Sequence, residues 1–211
     1  MLPDPLRDLA LSYAPIGRRA GLDALFALDH ALGQVLRTTR EPMVGQMRLA
    51  WWREALEALD HAPAPAEPVL RALAEAVLPA GVSGKDLAQL VDGWEPLLGE
   101  LDQGAIDRHA HWRGGQLFEL AGRVLGAAQD DPVADAGQAW ALDDLARHLS
   151  DPLLAAGARD RGAEPGERAA GRRWSRAGRP LGALAIIARH GPGPGRAQLV
   201  LRLAWLRLTG R

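Results

Sequence analysis

Between Leu22 and Asp60 apolar residues recur at intervals of three and four, the spacing of helices buried along one side. Leu22, Leu25, Leu32 and Leu36 form the first stripe, which carries one acid, Asp29, where an apolar side chain is expected. A second helix starts at Glu41-Pro42, with proline in the first turn, where its missing N–H costs nothing. Its apolar face is predicted to be Val44, Met47, Trp51, Ala55 and Leu59, while Arg48, Trp52 and Ala55 share another. The turn from Thr38 to Glu41 is short enough to set the two helices antiparallel, and this hairpin is predicted to seed the core.

The same periodicity predicts helices almost throughout. A short helix is expected over Pro3 to Leu11, followed by a loop at Tyr13 to Gly17, and a proline-alanine linker runs from His61 to Pro68. Leu70, Leu73 and Val77 mark a helix that stops at Pro79-Ala80-Gly81, and Ser83 with Asp86 forms a capping pattern opening another, with Leu87, Leu90, Val91, Trp94 and Leu98 inward. From Ala105 to Leu125 a long helix is expected, with His109, Trp112, Gln116, Leu120 and Val124 along one side and Gly114-Gly115 in its middle. Paired glycines weaken a helix, which points to close packing on a neighbour or to a bend. Val133 to Leu149 reads as a helix whose face mixes Gly137, Trp140, Asp144 and Arg147.

The glycine- and arginine-rich stretch 157–180 reads as a loop, and 181–209 as C-terminal helices separated by Gly191-Pro192-Gly193-Pro194-Gly195. The last is expected to be a core helix through Leu199, Leu203 and Leu206, with solvated Arg202 and Arg207, in preference to a membrane-surface helix, for which its polar face is thin. No stretch alternates as a strand would. The reading is therefore an all-α, single-domain helical bundle over residues 1–211.

Composition then narrows the chemistry. A chain of 211 residues, 47% hydrophobic, suffices for one sizeable core. The absence of cysteine excludes disulfides, thiolate metal sites and a cysteine nucleophile. Neither a leader peptide nor an apolar run of about 18 residues is visible, so a cytoplasmic protein of bacterial type is expected, with peripheral contact at the inner membrane as a further possibility. The net charge of −1 hides an asymmetry: residues 159–211 hold 12 arginines against 3 acids, and residues 1–158 hold 13 basic against 23 acidic residues. Such a tail docks either on its own acidic body or on an anionic surface. Anionic membrane is the expected surface, and no nucleic-acid partner is expected.

Several segments together resemble the squalene/phytoene synthase family: Ala24-Leu25-Phe26-Ala27-Leu28, the Glu41-Pro42 turn, Gln46-Met47-Arg48-Leu49-Ala50-Trp51-Trp52-Arg53-Glu54, Gly114-Gly115-Gln116-Leu117-Phe118-Glu119-Leu120-Ala121, and Gly137-Gln138-Ala139-Trp140-Ala141-Leu142 followed by Arg147. They occur in the family's order over residues 12–150. The resemblance implies an isoprenoid-synthase bundle around a cavity, where full enzymes join two prenyl diphosphates with magnesium held by two aspartate-rich motifs. A diphosphate leaving group needs its charge neutralised, and carboxylates one turn apart on a helix hold hard cations for that purpose. The first motif would fall on Gly33, Gln34 and Arg37, none of them acidic, and the second near Asp144, Arg147, His148 and Pro152. Asp143 and Asp144 are adjacent and point to different sides of a helix, so they are no spaced pair. The pattern is closest to a branch lacking these aspartates, which includes factors serving assembly of respiratory complex I.

The candidate cavity or anion-binding residues are accordingly Asp29, Gln34, Arg48, Trp52, Asp144 and Arg147. Asp29 either pairs with Arg48 or Arg53 across the hairpin or sits at the edge of its stripe. Arg147 either binds an anion or makes a structural ion pair, and Trp51 and Trp52 are expected to pack. His109, His111 and His148 lack the spacing of a shared metal site. No catalytic residue, metal ligand or cofactor is assigned. The leading expectation is a non-catalytic synthase-like protein with a binding or assembly role in respiratory complex biogenesis, its partner a protein or an isoprenoid or lipid ligand. The alternative is a head-to-head prenyl-diphosphate transferase with an altered metal site, in which magnesium alone would be a cofactor. A peripheral membrane protein using the arginine tail is the third.

Overall fold

The computed structural model describes residues 5–190 and 196–211 and contains helices and turns, with no strand among the described residues. Pro3 and Asp4 at the start of the first expected helix, and the Gly191 to Gly195 spacer, lie outside them. Pro5–Leu11 (α1) leads into Arg19–Thr38 (α2), and the short turn expected from Thr38 to Glu41, found at residues 39–41, sends the chain back into Pro42–Ala58 (α3). Leu22, Leu25, Leu28 and Leu32 of α2 are fully buried, and they pack towards Pro68–Ala76 (α4) and Leu117–Leu125 (α7).

In α3 the structure corrects the predicted face. The buried residues are Gly45, Leu49, Trp52 and Leu56, whereas Met43, Val44, Met47 and Trp51 lie on the solvent side. The helix is apolar on two sides, so spacing alone could not say which one meets the core. Packing against Gly84–Ala88 (α5) and the Leu98 side chain, which occupies the room above Gly45, selects the leucine side.

The capping box at Ser83 and Asp86 forms as predicted, with each side chain accepting from the other residue's backbone N–H. The helix it opens is shorter than expected: residues 89–93 and 95–98 tighten into 3-10 turns, with Pro96 removing a donor from the second. The expected Ala105–Leu125 helix begins at Gln103–Arg108 (α6), widens into a π segment over His109–Gln116 and returns to α geometry in α7. Of the two readings of Gly114-Gly115, close packing on a neighbour is the one observed. Gly114 there meets Gly137 of Val133–His148 (α8) backbone to backbone, and a Cβ on either glycine would collide with the other's carbonyl oxygen.

Of the stretch 157–180 expected to be a loop, only 171–178 is one. Pro152–Ala170 (α9) is a continuous helix, with Pro152 at its start and the Asp151 side chain accepting from the N–H groups of Leu153 and Leu154. Its buried stripe is Ala155, Ala158, Pro165, Gly166 and Ala169. Small residues bury little area, so the stripe escapes a hydrophobicity reading, but they let α9 lie close against α8. Arg161 pairs with Asp107 at 2.9 Å and Arg168 with Asp135 at 2.7 Å, so this part of the basic tail does dock on the acidic body. The chain leaves α9 through residues 171–178, anchored by buried Trp174 and by Asp131, whose carboxylate accepts from the Ser175 N–H and hydroxyl. Arg179–His190 (α10) and Arg196–Thr209 (α11) complete the fold. Leu199, Leu203 and Leu206 of α11 are buried as expected.

Candidate functional site

Asp29 of α2, Arg113 of the π segment and Asp144 of α8 converge in the interior. Arg113, 4% exposed, donates from Nε and Nη2 to the two carboxylate oxygens of Asp29 at 2.8 and 3.1 Å. Its Nη1 lies 2.7 Å from Asp144 Oδ2. The guanidinium carbon lies over the Trp94 and Trp140 rings, 4.4 and 4.6 Å from their centroids. A planar fork that pairs bidentately with a carboxylate against aromatic rings is a geometry that arginine satisfies and lysine does not. Burial opposes the charge on Arg113, but Asp29 and Asp144 outweigh it and hold the pKa above the ordinary arginine value. Burial likewise raises Asp144, and Arg113 more than offsets this, so its carboxyl titrates below the usual range.

His109, four residues before Arg113 and 1% exposed, extends the network. Its Nδ1 is 2.6 Å from the Gly93 carbonyl oxygen, which can only accept, so Nδ1 bears the proton. Nε2 is then free to accept from Arg113 Nη1 at 3.3 Å. The ring must be neutral for this chain of bonds to exist, and burial, with the Arg113 charge beside it, pushes the pKa down to about 3. An unfolded histidine protonates near pH 6.5, so below that pH the unfolded chain binds a proton that the folded one refuses. Stability is therefore complete above the unfolded value and declines as pH falls towards 3. A loss of about 2 to 3 kcal/mol is expected near pH 4.5 relative to neutral pH, measurable as a fall in the urea midpoint. The share from Asp144 is lost only at lower pH, below the ordinary carboxylate range. His109→Asn, which keeps a donor for Gly93, should flatten the profile between these pH values; an unchanged slope would assign the effect to another group.

An open cleft of about 340 Å³ adjoins the network, with Phe26 and Trp140 on its apolar wall and Arg7, His30, Arg37 and His148 around its polar side. Gln34 is here too, its side-chain nitrogen 3.2 Å from His30 Nε2. Burial lowers the His30 pKa, and Arg37 lowers it further. Of the candidate residues, Asp29, Gln34 and Asp144 line this cleft. Arg48, Trp52 and Arg147 do not. Arg48 donates to the hydroxyls of Thr38 and Thr39 at 2.9 and 2.8 Å, tying the α2–α3 turn. Trp52 is buried beside Trp51, their rings edge to face at 5.1 Å. Arg147 pairs with Asp143 at 2.8 Å and lines a separate cleft beside α9. That pair is close but not well directed, since Asp143 Oδ2 gains no hydrogen bond from it, and burial, only partly offset by Arg147, raises the Asp143 pKa.

The anticipated pairing of Asp29 with Arg48 or Arg53 does not occur. Arg53 instead bridges Asp92 and Glu95 at 2.6 and 3.0 Å. The residue missed in the sequence is Arg113. It falls in line with Ile106, Ala110, Leu117 and Leu120, a cation on an apolar stripe, as Asp29 is an acid on one. A straight helical reading chose the neighbouring stripe through His109 and Trp112. Arg113 was passed over although its own stripe, buried throughout, keeps regular helical spacing.

The donor set does not suit a divalent cation. Among the described residues no group of three or more His, Cys, Asp or Glu side chains is placed to hold a metal, and the two interior carboxylates that do converge already neutralise a guanidinium. At Gly33 a Cβ would lie 2.9 Å from the Trp94 ring, so an acid there would have to displace the tryptophan that covers Arg113.

A family model described as squalene/phytoene synthase matches residues 5–159. No curated protein and no solved structure matches the chain.

Proposed function

Since the chain belongs to the squalene/phytoene synthase family, we propose that it is a non-catalytic member, a synthase scaffold kept for binding or assembly. The observation that supports this reading is Arg113: its guanidinium engages both Asp29 and Asp144, the acid near the second motif, so neither carboxylate is left free for magnesium. The residues at the two motif positions agree with it. Gln34 and Arg37 engage His30, His148 lies on its own helix turn against the Asp144 carbonyl, and Pro152 starts α9.

The cleft beside Arg113 still joins aromatic walls to a cationic rim, a combination suited to an anionic ligand with an apolar tail held without metal. An isoprenoid or lipid of that kind is the ligand class assigned to it. Resemblance to the aspartate-lacking branch supports a protein partner in respiratory complex biogenesis.

Titration calorimetry of the full chain with a non-hydrolysable farnesyl diphosphate analogue, with and without magnesium, tests the reading alongside a product assay on farnesyl and geranylgeranyl diphosphates. Binding heat independent of magnesium, or no heat, and no condensed product are expected. Magnesium-dependent binding or a head-to-head product would overturn it in favour of an active transferase.

A further inference from the structure

The α11 helix is apolar on two opposite sides. Leu199, Leu203 and Leu206 are buried, while Leu201, Trp205 and Leu208 project outward, 60 to 77% exposed. At one hundred degrees per residue the two sets face opposite ways. Arg202 flanks the outer ridge on one side and Arg207 on the other, its guanidinium over the Tyr13 ring at 5.1 Å. No acid occurs from residue 196 to 211.

Behind Trp205 lies a cavity of about 240 Å³ between α9, α10 and α11, with Ala169, Ala185, Ile186 and Leu206 among its apolar lining and Arg172, Arg189, Arg202 and Arg211 among its polar lining. Among the described residues, only Arg189 of these arginines faces an acid, Glu167, at 3.8 Å. Arg202 donates to neutral-capable His190 Nε2 at 2.8 Å.

We infer that this end of the molecule is a docking surface for an anionic phospholipid bilayer, with α11 lying along the interface, Leu201, Trp205 and Leu208 entering the headgroup region and the surrounding arginines meeting lipid phosphates. A ridge of leucine and tryptophan between cations is the composition that lies in an interface. The charge pattern selects this occupant over a neutral one. The other exposed apolar face, Met43, Met47 and Trp51 of α3, has Glu41 and Glu54 beside Arg40 and Arg48, so it lacks that complementarity. Among the described residues no helix is long and apolar enough to cross a membrane, and the surface contact needs none. The inference stands apart from the fate of the diphosphate site.

Flotation of the full chain with vesicles of phosphatidylcholine, with and without phosphatidylglycerol, tests it. Binding is expected only with the anionic lipid, and to fall at least about tenfold between 0.1 and 1 M salt as screening shortens the reach of the charges. Leu201→Ser with Trp205→Ser should lower partitioning about tenfold or more, and Arg172→Glu with Arg211→Glu about twenty-five-fold or more, at roughly fivefold per arginine lost. All four residues are exposed, so circular dichroism should be unchanged. Met47→Ser with Trp51→Ser should float as the parent does. Equal binding to neutral vesicles, no binding at all, or loss through the α3 variant overturns the inference. So does selective displacement by inorganic phosphate at matched ionic strength, which would make the arginines a free-phosphate site.

Discussion

Replacing Arg113 by alanine is expected to destabilise the protein by about 3 to 5 kcal/mol, because it leaves two interior carboxylates facing one another with no cation between them. Asp29 loses both bonds of a bidentate contact, Asp144 loses its 2.7 Å partner, and the space over the Trp94 and Trp140 rings empties. Arg113→Lys restores a charge but not the planar fork, so it should recover only part of the loss. The most informative variant combines Arg113→Met with Asp29→Asn and Asp144→Asn. Removing all three charges takes away the desolvation cost together with the attraction, and the triple variant should be more stable than the alanine single variant. Urea denaturation of the set gives the comparison. A cost below about 1 kcal/mol for the alanine variant would mean that the triad is solvated, and the case for carboxylates closed to magnesium would go with it.

The second large effect lies where the π segment crosses α8. Gly137→Ala and Gly114→Ala should each cost about 2 to 3 kcal/mol, although alanine is the better helix former by about 1 kcal/mol. The added methyl at residue 137 meets the Gly114 carbonyl and, at 2.9 Å, the Phe118 Cβ; at residue 114 it meets the Gly137 carbonyl and, at 2.9 Å, the Ala141 Cβ. Backbone cannot rotate away as a side chain can, so the helices must part. The separation would also carry Asp144 away from Arg113 and link the packing defect to the buried network. Gly157 of α9 serves as the control, since nothing lies within 4 Å of a Cβ there. Gly157→Ala should stabilise by about 0.5 to 1 kcal/mol through helix propensity and a restricted unfolded chain. A neutral Gly137→Ala in thermal unfolding would sink the close crossing.

These expectations bear on function through a single relation. The family's chemistry needs interior carboxylates that are free, and here the two that converge are engaged by the chain's own cation. Weakening Arg113 therefore exposes acids rather than rebuilding a ligand set, because positions 33, 34 and 37 supply no further carboxylates.

Much of this was legible in the chain. The α2–α3 hairpin, the capping box at Ser83 and the close approach at Gly114 follow from spacing, capping chemistry and glycine's lack of a Cβ. Asp29 and Asp144 also stand out singly, as charges on apolar stripes. Sequence periodicity reports how many sides of a helix are apolar, so it left open which side of α3 is buried and read only one side of α11. It is blind to stripes built of alanine and glycine, and so missed α9. Above all it could not join Asp29 to Arg113, 84 residues away. That contact joins helices far apart in the chain, and the two glycines at the crossing bring α8 near enough for Asp144 to close the triad; only the packed tertiary structure fixes both.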